Sequence, residues 1–328
     1  MTFQKHFDLW FEDGNVVLVA ENTGFRVYRG ILARDSEVFR DMFLLPQPSS
    51  LPVEDTYEGC PLVRLADDNA DEVAKALTIL FDGGRSFSQQ NQRVDLATVV
   101  AALRIGTKYG LDTILQEALR RISTCYPADL HALQKHPPCS STCPIIWNTE
   151  DPIAVFHLAR QLDLDRLIPA ALYKCANEVQ ITSLFSASTG KNGRLHTLSL
   201  EELQDCIQAR DILTVENVSL YDIFSDFHPV TLCIRWDPVT YITPCADTMK
   251  DMVVAAHSNG FTRGERAFRR LKKWMNGYQT SASPSLCSGC AFDLAFQVEE
   301  RQTEVWTGLR ERFCSNPCDD AMDDDTAQ

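Results

Sequence analysis

The residues best placed to do chemistry are cysteines near the C-terminal end of the chain. Cys287-Ser-Gly-Cys290 is followed, after 23 intervening residues, by Cys314-Ser-Asn-Pro-Cys318. A Cys-x-x-Cys pair turns two thiolates toward one ion, and four sulfurs at about 2.3 Å satisfy tetrahedral zinc. The expected ligand set is therefore Cys287, Cys290, Cys314 and Cys318. The segment between the two pairs reads as one helix of about 33 Å at 1.5 Å per residue, which holds them apart unless it bends. Cys139 with Cys143, or Cys233 with Cys245, can complete a site with Cys287 and Cys290 instead. A dithiol redox reading of Cys287 and Cys290 lacks the strand-helix-strand unit that such motifs occupy.

Other chemistry is sparse. The chain has no phosphate loop, no Gly-x-Gly-x-x-Gly fingerprint, no His-Glu-x-x-His and no Gly-x-Ser-x-Gly elbow. Its seven histidines are scattered, so the sequence reads as that of a protein that is not an enzyme. One dense basic run, Arg263 to Lys273, carries Phe268, Leu271 and Trp274 among its cations, as an amphipathic helix would. Contact with nucleic acid is one use for it. A net charge of -14 repels a phosphate backbone overall and makes the solvated helix face the better reading.

With 328 residues and twelve cysteines, the chain can hold one large or two ordinary domains. No apolar run approaches the roughly 20 residues that cross a bilayer, and MTFQKHFDLW lacks the basic-then-apolar order of a secretory signal. The expected location is intracellular, cytoplasm or nucleus, where thiols stay reduced or bind metal. Cys175 and Cys206 lie in apolar-periodic helices and read as small buried core residues.

The elements that must position these groups follow from periodicity. Phe7, Leu9 and Phe11 alternate with Asp8, Trp10 and Glu12, as in a half-buried strand, and Asp13-Gly14 predicts a tight hairpin into a strand over Val16 to Ala20. Asn22 to Gly24 is turn chemistry before a strand at Phe25 and Val27. Ile31 to Phe43 has helical spacing and ends at Pro46 and Pro48. KHPPCSSTCPIIWNTED marks a domain break between about Gln134 and Asp151. Beyond it the chain reads mostly helical, with Asp151-Pro152 and the Ser199-x-x-Glu202 capping box as helix starts. Val230 to Pro244, broken by two prolines, licenses a short strand or crossover. The tail, 319–328, is acidic and free of aromatic residues and predicts disorder.

Asp8, Phe25, Val27, Leu32, Ala33, Ser36, Phe39 and Phe43, with Gly106, Tyr109, Leu111 and Leu115, fall where the BTB/POZ family places its strand Asp, its Phe-x-Val-His strand, its first helix and its closing helical pair. Residues 5 to 125 thus resemble a BTB/POZ domain, with Tyr28 standing where the family usually has His; the resemblance continues through a strand over Pro61 to Asp67, a helix over 71–81 ending at Gly83-Gly84, and helices over 94–109 and 111–123. Leu158 to Tyr173 is similar to the continuation found in many such proteins of mushroom-forming (basidiomycete) fungi.

The resemblance implies an α+β fold: a BTB/POZ-like domain over 5–125, a small mixed sheet flanked by helices. A linker over 126–151 and a mostly α-helical region over 152–318 come next, then the tail. It implies a homodimer built on Phe7, Leu9 and Trp10, with Asp8 and Arg29 in a charged pocket at the interface. Val53, Glu54 and Asp55 are the counterpart of the loop that docks a cullin in some members. The expected function is a non-enzymatic protein–protein interaction module whose helical extension meets an unidentified protein partner. The alternatives are a substrate adaptor for a cullin-type ubiquitin ligase and a transcription-associated protein using the basic helix.

Overall fold

Residues 3–45, 56–89, 92–135, 143–186, 188–189, 195–225, 233–235, 244–258, 275 and 286–314 are described in a computed structural model of the chain. It is a mixed α+β protein that divides into two units. The first comprises Met1–Tyr126, Pro138–Asp151 and Thr189–Leu195, and the second Pro127–Pro137, Pro152–Ser188 and His196–Gln328.

The first unit is built on a curled five-stranded sheet of order β1-β3-β2-β5-β4, formed by β1 (Gln4–Trp10), β2 (Val16–Ala20), β3 (Thr23–Val27), β4 (Thr56–Tyr57) and β5 (Cys60–Leu65). The continuous run VVLVA is central and buried on both faces, as its composition demands. It pairs antiparallel with β3 and parallel with β5. The expected hairpin between β1 and β2 at Asp13-Gly14 is not formed. β1 lies at the sheet edge and pairs parallel with β3, and the hairpin is the next one along, turning at Glu21-Asn22 between Ala20 and Thr23. Glu21 takes φ 50° there. Its carboxylate accepts from the backbone N–H of Ala70 (3.1 Å), which ties the turn to a helix start.

The alternation expected along β1 also fails. Between Lys5 and Trp10 this strand advances five residues while β3 advances only two, from Gly24 to Arg26. The irregularity turns Leu9 inward and leaves Phe7 86% exposed.

Helices α1 (Arg29–Asp35) and α2 (Glu37–Leu44) replace the single helix predicted over 31–43. The break is at Ser36, extended at φ -136°, whose Oγ accepts from Phe39 N at 3.0 Å and donates to the carbonyl of Tyr109. Then come α3 (Ala70–Phe81), capped by Asn69, and α4 (Arg85–Ser88), with Gly83 and Gly84 at positive φ between them. β6 (Val94–Asp95) leads into α5 (Leu96–Tyr109), which is followed by α6 (Asp112–Cys125). β6 pairs parallel with β7 (Ile145–Ile146), so residues expected to link domains carry a strand of the first unit.

Arg121 of α6 is fully buried. Its guanidinium pairs with Glu117 (2.8 Å) and donates to the carbonyls of Gln92 (2.9 Å), Gln89 (2.9 Å), Pro144 (3.1 Å) and Phe87. A buried cation needs this degree of satisfaction.

The second unit is helical: α7 (Leu130–Lys135), α8 (Asp151–Gln161), α9 (Ile168–Asn177), α10 (Ile181–Leu184), α11 (Leu200–Ser225), α12 (Pro244–Ser258) and α13 (Ser288–Phe313). The capping box forms as expected, with Ser199 N donating to Glu202 Oε2 (2.7 Å) and Glu202 N to Ser199 Oγ (3.1 Å). Trp306 of α13 stacks edge-on against Tyr173 of α9 (6.0 Å) and donates to the carbonyl of Ala128 (2.9 Å), while Gln302 accepts from Gln134 of α7 (3.0 Å).

Candidate metal centre

Two helix starts carry the cysteine chemistry. α12 opens on Pro244, whose fixed φ suits a first helical position, and so puts Cys245 in the first turn. α13 starts after Cys287, its N-cap residue in extended conformation, and carries Cys290 in its first turn. Cys233 lies beside the turn at Ile234-Arg235. All four cysteines are buried, and their sulfurs lie within 4.8 Å of one another.

The arrangement fits a metal by an independent criterion. Bonds of about 2.3 Å at tetrahedral angles separate the sulfurs by about 3.8 Å, and the Cys287 and Cys233 sulfurs are 3.8 Å apart. Backbone N–H groups also aim at sulfur: Cys287 N donates to Cys245 Sγ (3.4 Å), and Cys290 N and Ile234 N donate to Cys287 Sγ. Such donors favour thiolate, as do the positive ends of two helices. Burial alone would push the Cys287 thiol up, but the N–H groups of Cys290 and Ile234 and the thiols of Cys290 and Cys245 bring it down to about 6. Burial and neighbouring thiols push Cys290 up, and burial does the same to Cys245. The cluster thus sheds its first proton readily, at Cys287.

This corrects the expected ligand set. Cys287 and Cys290 belong to the cluster, but Cys314 does not. It lies past the end of α13, a 26-residue helix and so about 39 Å long, and donates to the Asp165 carbonyl at 3.6 Å. Cys318 lies outside the described residues. Cys233 and Cys245, offered by the sequence only as an alternative, complete the four. Their eleven-residue separation has no knuckle signature, and the signal that does mark Cys245 is its place beside a helix-starting proline. Cys175 and Cys206 are fully buried, and burial raises the Cys175 thiol, as suits an inert core pair.

The first unit's expected site residues are placed as follows. Trp10 packs on Phe3 and Tyr57 (ring centroids 6.3 and 5.9 Å), with the Lys5 ammonium 4.5 Å over its ring. Leu9 is buried; Phe7 and Asp8 are exposed on the edge strand. Arg29 donates its backbone N–H to Asn15 Oδ1 (2.7 Å) and its guanidinium to the Phe43 carbonyl, lying 4.9 Å over the Phe43 ring. Within one chain it is not brought to Asp8. Val53, Glu54 and Asp55, the basic run over 263–273 and the acidic tail lie outside the described residues. No helix among the described residues is long and apolar enough to cross a membrane. Neither a family model nor a curated protein matches the chain.

Proposed function

We propose that the chain is a non-enzymatic protein–protein interaction module. In this reading the first unit is BTB/POZ-like and homodimerises through β1, and the helical second unit offers a protein-binding surface held in shape by zinc. The observation that carries the dimer is the edge strand. Among the described residues β1 has a neighbour on one side only, and its irregularity presents Phe7 and Asp8 outward together. An edge strand carrying a fully turned-out aromatic group is a template for pairing, and a two-fold interface is its simplest closed solution.

Zinc is the ion the thiol set favours, because four buried sulfur ligands with no open position suit a structural tetrahedral site. Cys233, Cys245, Cys287 and Cys290 would hold it, joining the starts of α12 and α13 to the turn at Ile234. The ion's part is cohesion.

Sedimentation of the full chain tests the dimer. A dimer that Phe7→Asp converts to monomer is expected, and a wild-type monomer at micromolar concentration overturns it. Metal analysis of the reduced protein tests the zinc. One ion per chain is expected, and a content near zero or an iron signal overturns the assignment.

A further inference from the structure

Outside the candidate metal centre a second pair of thiols has a geometry of its own. Cys125, the last residue of α6, and Cys143, just before β7, place their sulfurs 2.8 Å apart although they are eighteen positions apart in sequence. Both belong to the first unit. Cys125 is buried and Cys143 is half-buried, which makes Cys143 the more accessible of the two. The indole Nε1–H of Trp147 donates to Cys143 Sγ at 2.7 Å. Trp147 is itself held edge-on against Tyr126, ring centroids 5.1 Å apart.

From this geometry we infer that Cys125 and Cys143 are a reversible disulfide switch, a modification site independent of zinc and of dimerisation. A disulfide needs its sulfurs at about 2.05 Å, and a small side-chain movement closes the gap. The pair has the pattern of a redox sensor: an accessible attacking sulfur beside a resolving one. Transient disulfides of this type are the kind that reducing compartments tolerate.

The oxidant is a hydroperoxide. Cys143 Sγ, as thiolate, attacks one peroxide oxygen; the O–O bond breaks, and the departing hydroxide takes up the proton that Cys143 lost. The sulfur is oxidised to sulfenic acid and the peroxide is reduced. Cys125 Sγ then attacks the sulfenic sulfur, the S–O bond breaks, and hydroxide leaves with the Cys125 proton as water. Two thiols and one hydrogen peroxide become one disulfide and two waters, and a dithiol reductant reverses it. The indole N–H is aimed at the sulfur that carries negative charge during the first attack.

The consequence lies in the chain path. The polypeptide leaves the first unit after Tyr126, contributes Pro127–Pro137, with α7, to the second, and re-enters the first at Pro138. Cys125 and Cys143 flank that excursion. A bond between them ties the two ends of that excursion together.

The test is oxidation of the zinc-loaded full chain with equimolar hydrogen peroxide, blocking with N-ethylmaleimide, digestion without reduction, and mass spectrometry. Cleavage after Lys135 separates Cys125 from Cys143. A dithiol-reversible link between these two peptides is expected, lighter by two hydrogens, and it persists in Cys139→Ser and slows several-fold in Trp147→Phe. Maleimide on both Cys125 and Cys143 after peroxide overturns the inference. So does a link that vanishes in Cys139→Ser, which assigns it to Cys139. The wild-type result decides even if a variant does not fold.

Discussion

The first unit and the region around the four cysteines bury sulfur and apolar groups in opposite proportions. The sheet is closed by Val16 to Ala20, Phe25, Val27 and Leu32, and α5 adds Val99 to Leu103. Apart from Ala20, Ala101 and Ala102 these are branched and aromatic side chains with few rotamers, which specify one packing. The cysteine cluster is surrounded instead by Met249, Met252, Met275, Leu286, Leu294 and Val298. Methionine fills irregular space but specifies it weakly. A core of that kind gains uniqueness from a central staple, which the sheet does not need.

The comparison breaks most sharply on metal removal. Structural zinc contributes apparent binding free energies of about 10–16 kcal/mol in small zinc domains, more than the whole stability of many domains. Chelation, or Cys290→Ser, should release the ion and expose the backbone amides of α12 and the first turns of α13 to exchange while β2, β3 and α5 keep their protection. Hydrogen exchange read by mass spectrometry checks this. Equal loss of protection in both places removes the distinction. Metal uptake should also weaken as pH falls, since Cys245 and Cys290 hold their protons at neutral pH, and more steeply below about 6, where Cys287 regains its own.

Two phenylalanines sharpen the other side. Phe25 is fully buried and Phe7 is 86% exposed, though the sequence pattern set both among the sheet's apolar residues. Phe25→Ala should cost about 3–5 kcal/mol, and Phe7→Ala under about 0.5 kcal/mol in the monomer. Denaturation midpoints at low concentration decide it. Arg121→Met tests a polar hub in the same unit. Removing the cation takes the donor from four carbonyls, at a cost of about 1–3 kcal/mol for each left unsatisfied, while Glu117 keeps its pair with Arg120 (2.7 Å). A smaller loss would mean that methionine packing offsets the lost pairing.

Local signals were legible wherever the partner lay nearby. Ser199 and Glu202 are three residues apart, and their box forms; Gly83 and Gly84 end α3 where expected. What could not be read locally was decided at a distance. Ser36 splits a helix because Tyr109, 73 residues on, offers a carbonyl to its hydroxyl. β1 fails as a hairpin partner because β3, not β2, lies beside it, a choice that strand composition does not encode. In the cysteine cluster the adjacent pair, Cys287 and Cys290, was legible from its spacing. Cys233 and Cys245 come from 54 and 42 residues before Cys287, a distance at which periodicity carries no information.

A pH-dependent effect is expected at Glu202, where a cap in the second unit also meets a histidine. Its carboxylate lies 3.0 Å from His157 Nδ1 and accepts from Ser199 N at 2.7 Å. Burial pushes this carboxyl up, but His157 and the Ser199 N–H outweigh burial and hold it below its ordinary value of 4.5. A carboxylate depressed in the folded state stabilises the fold fully above its unfolded value, and that contribution is lost as pH falls through the folded one. Stability of the second unit should therefore drop on acidification below about 4.5, with the slope set by one extra proton taken up on unfolding. Glu202→Gln keeps an acceptor for the helix start but has no charge to titrate. It should cost about 1 kcal/mol at neutral pH, the size of a cap interaction, and flatten that part of the acid slope. Urea midpoints of the two proteins across the acid range measure the difference. Parallel curves would mean that Glu202 acts only as an uncharged cap, and that the histidine beside it adds nothing to folding.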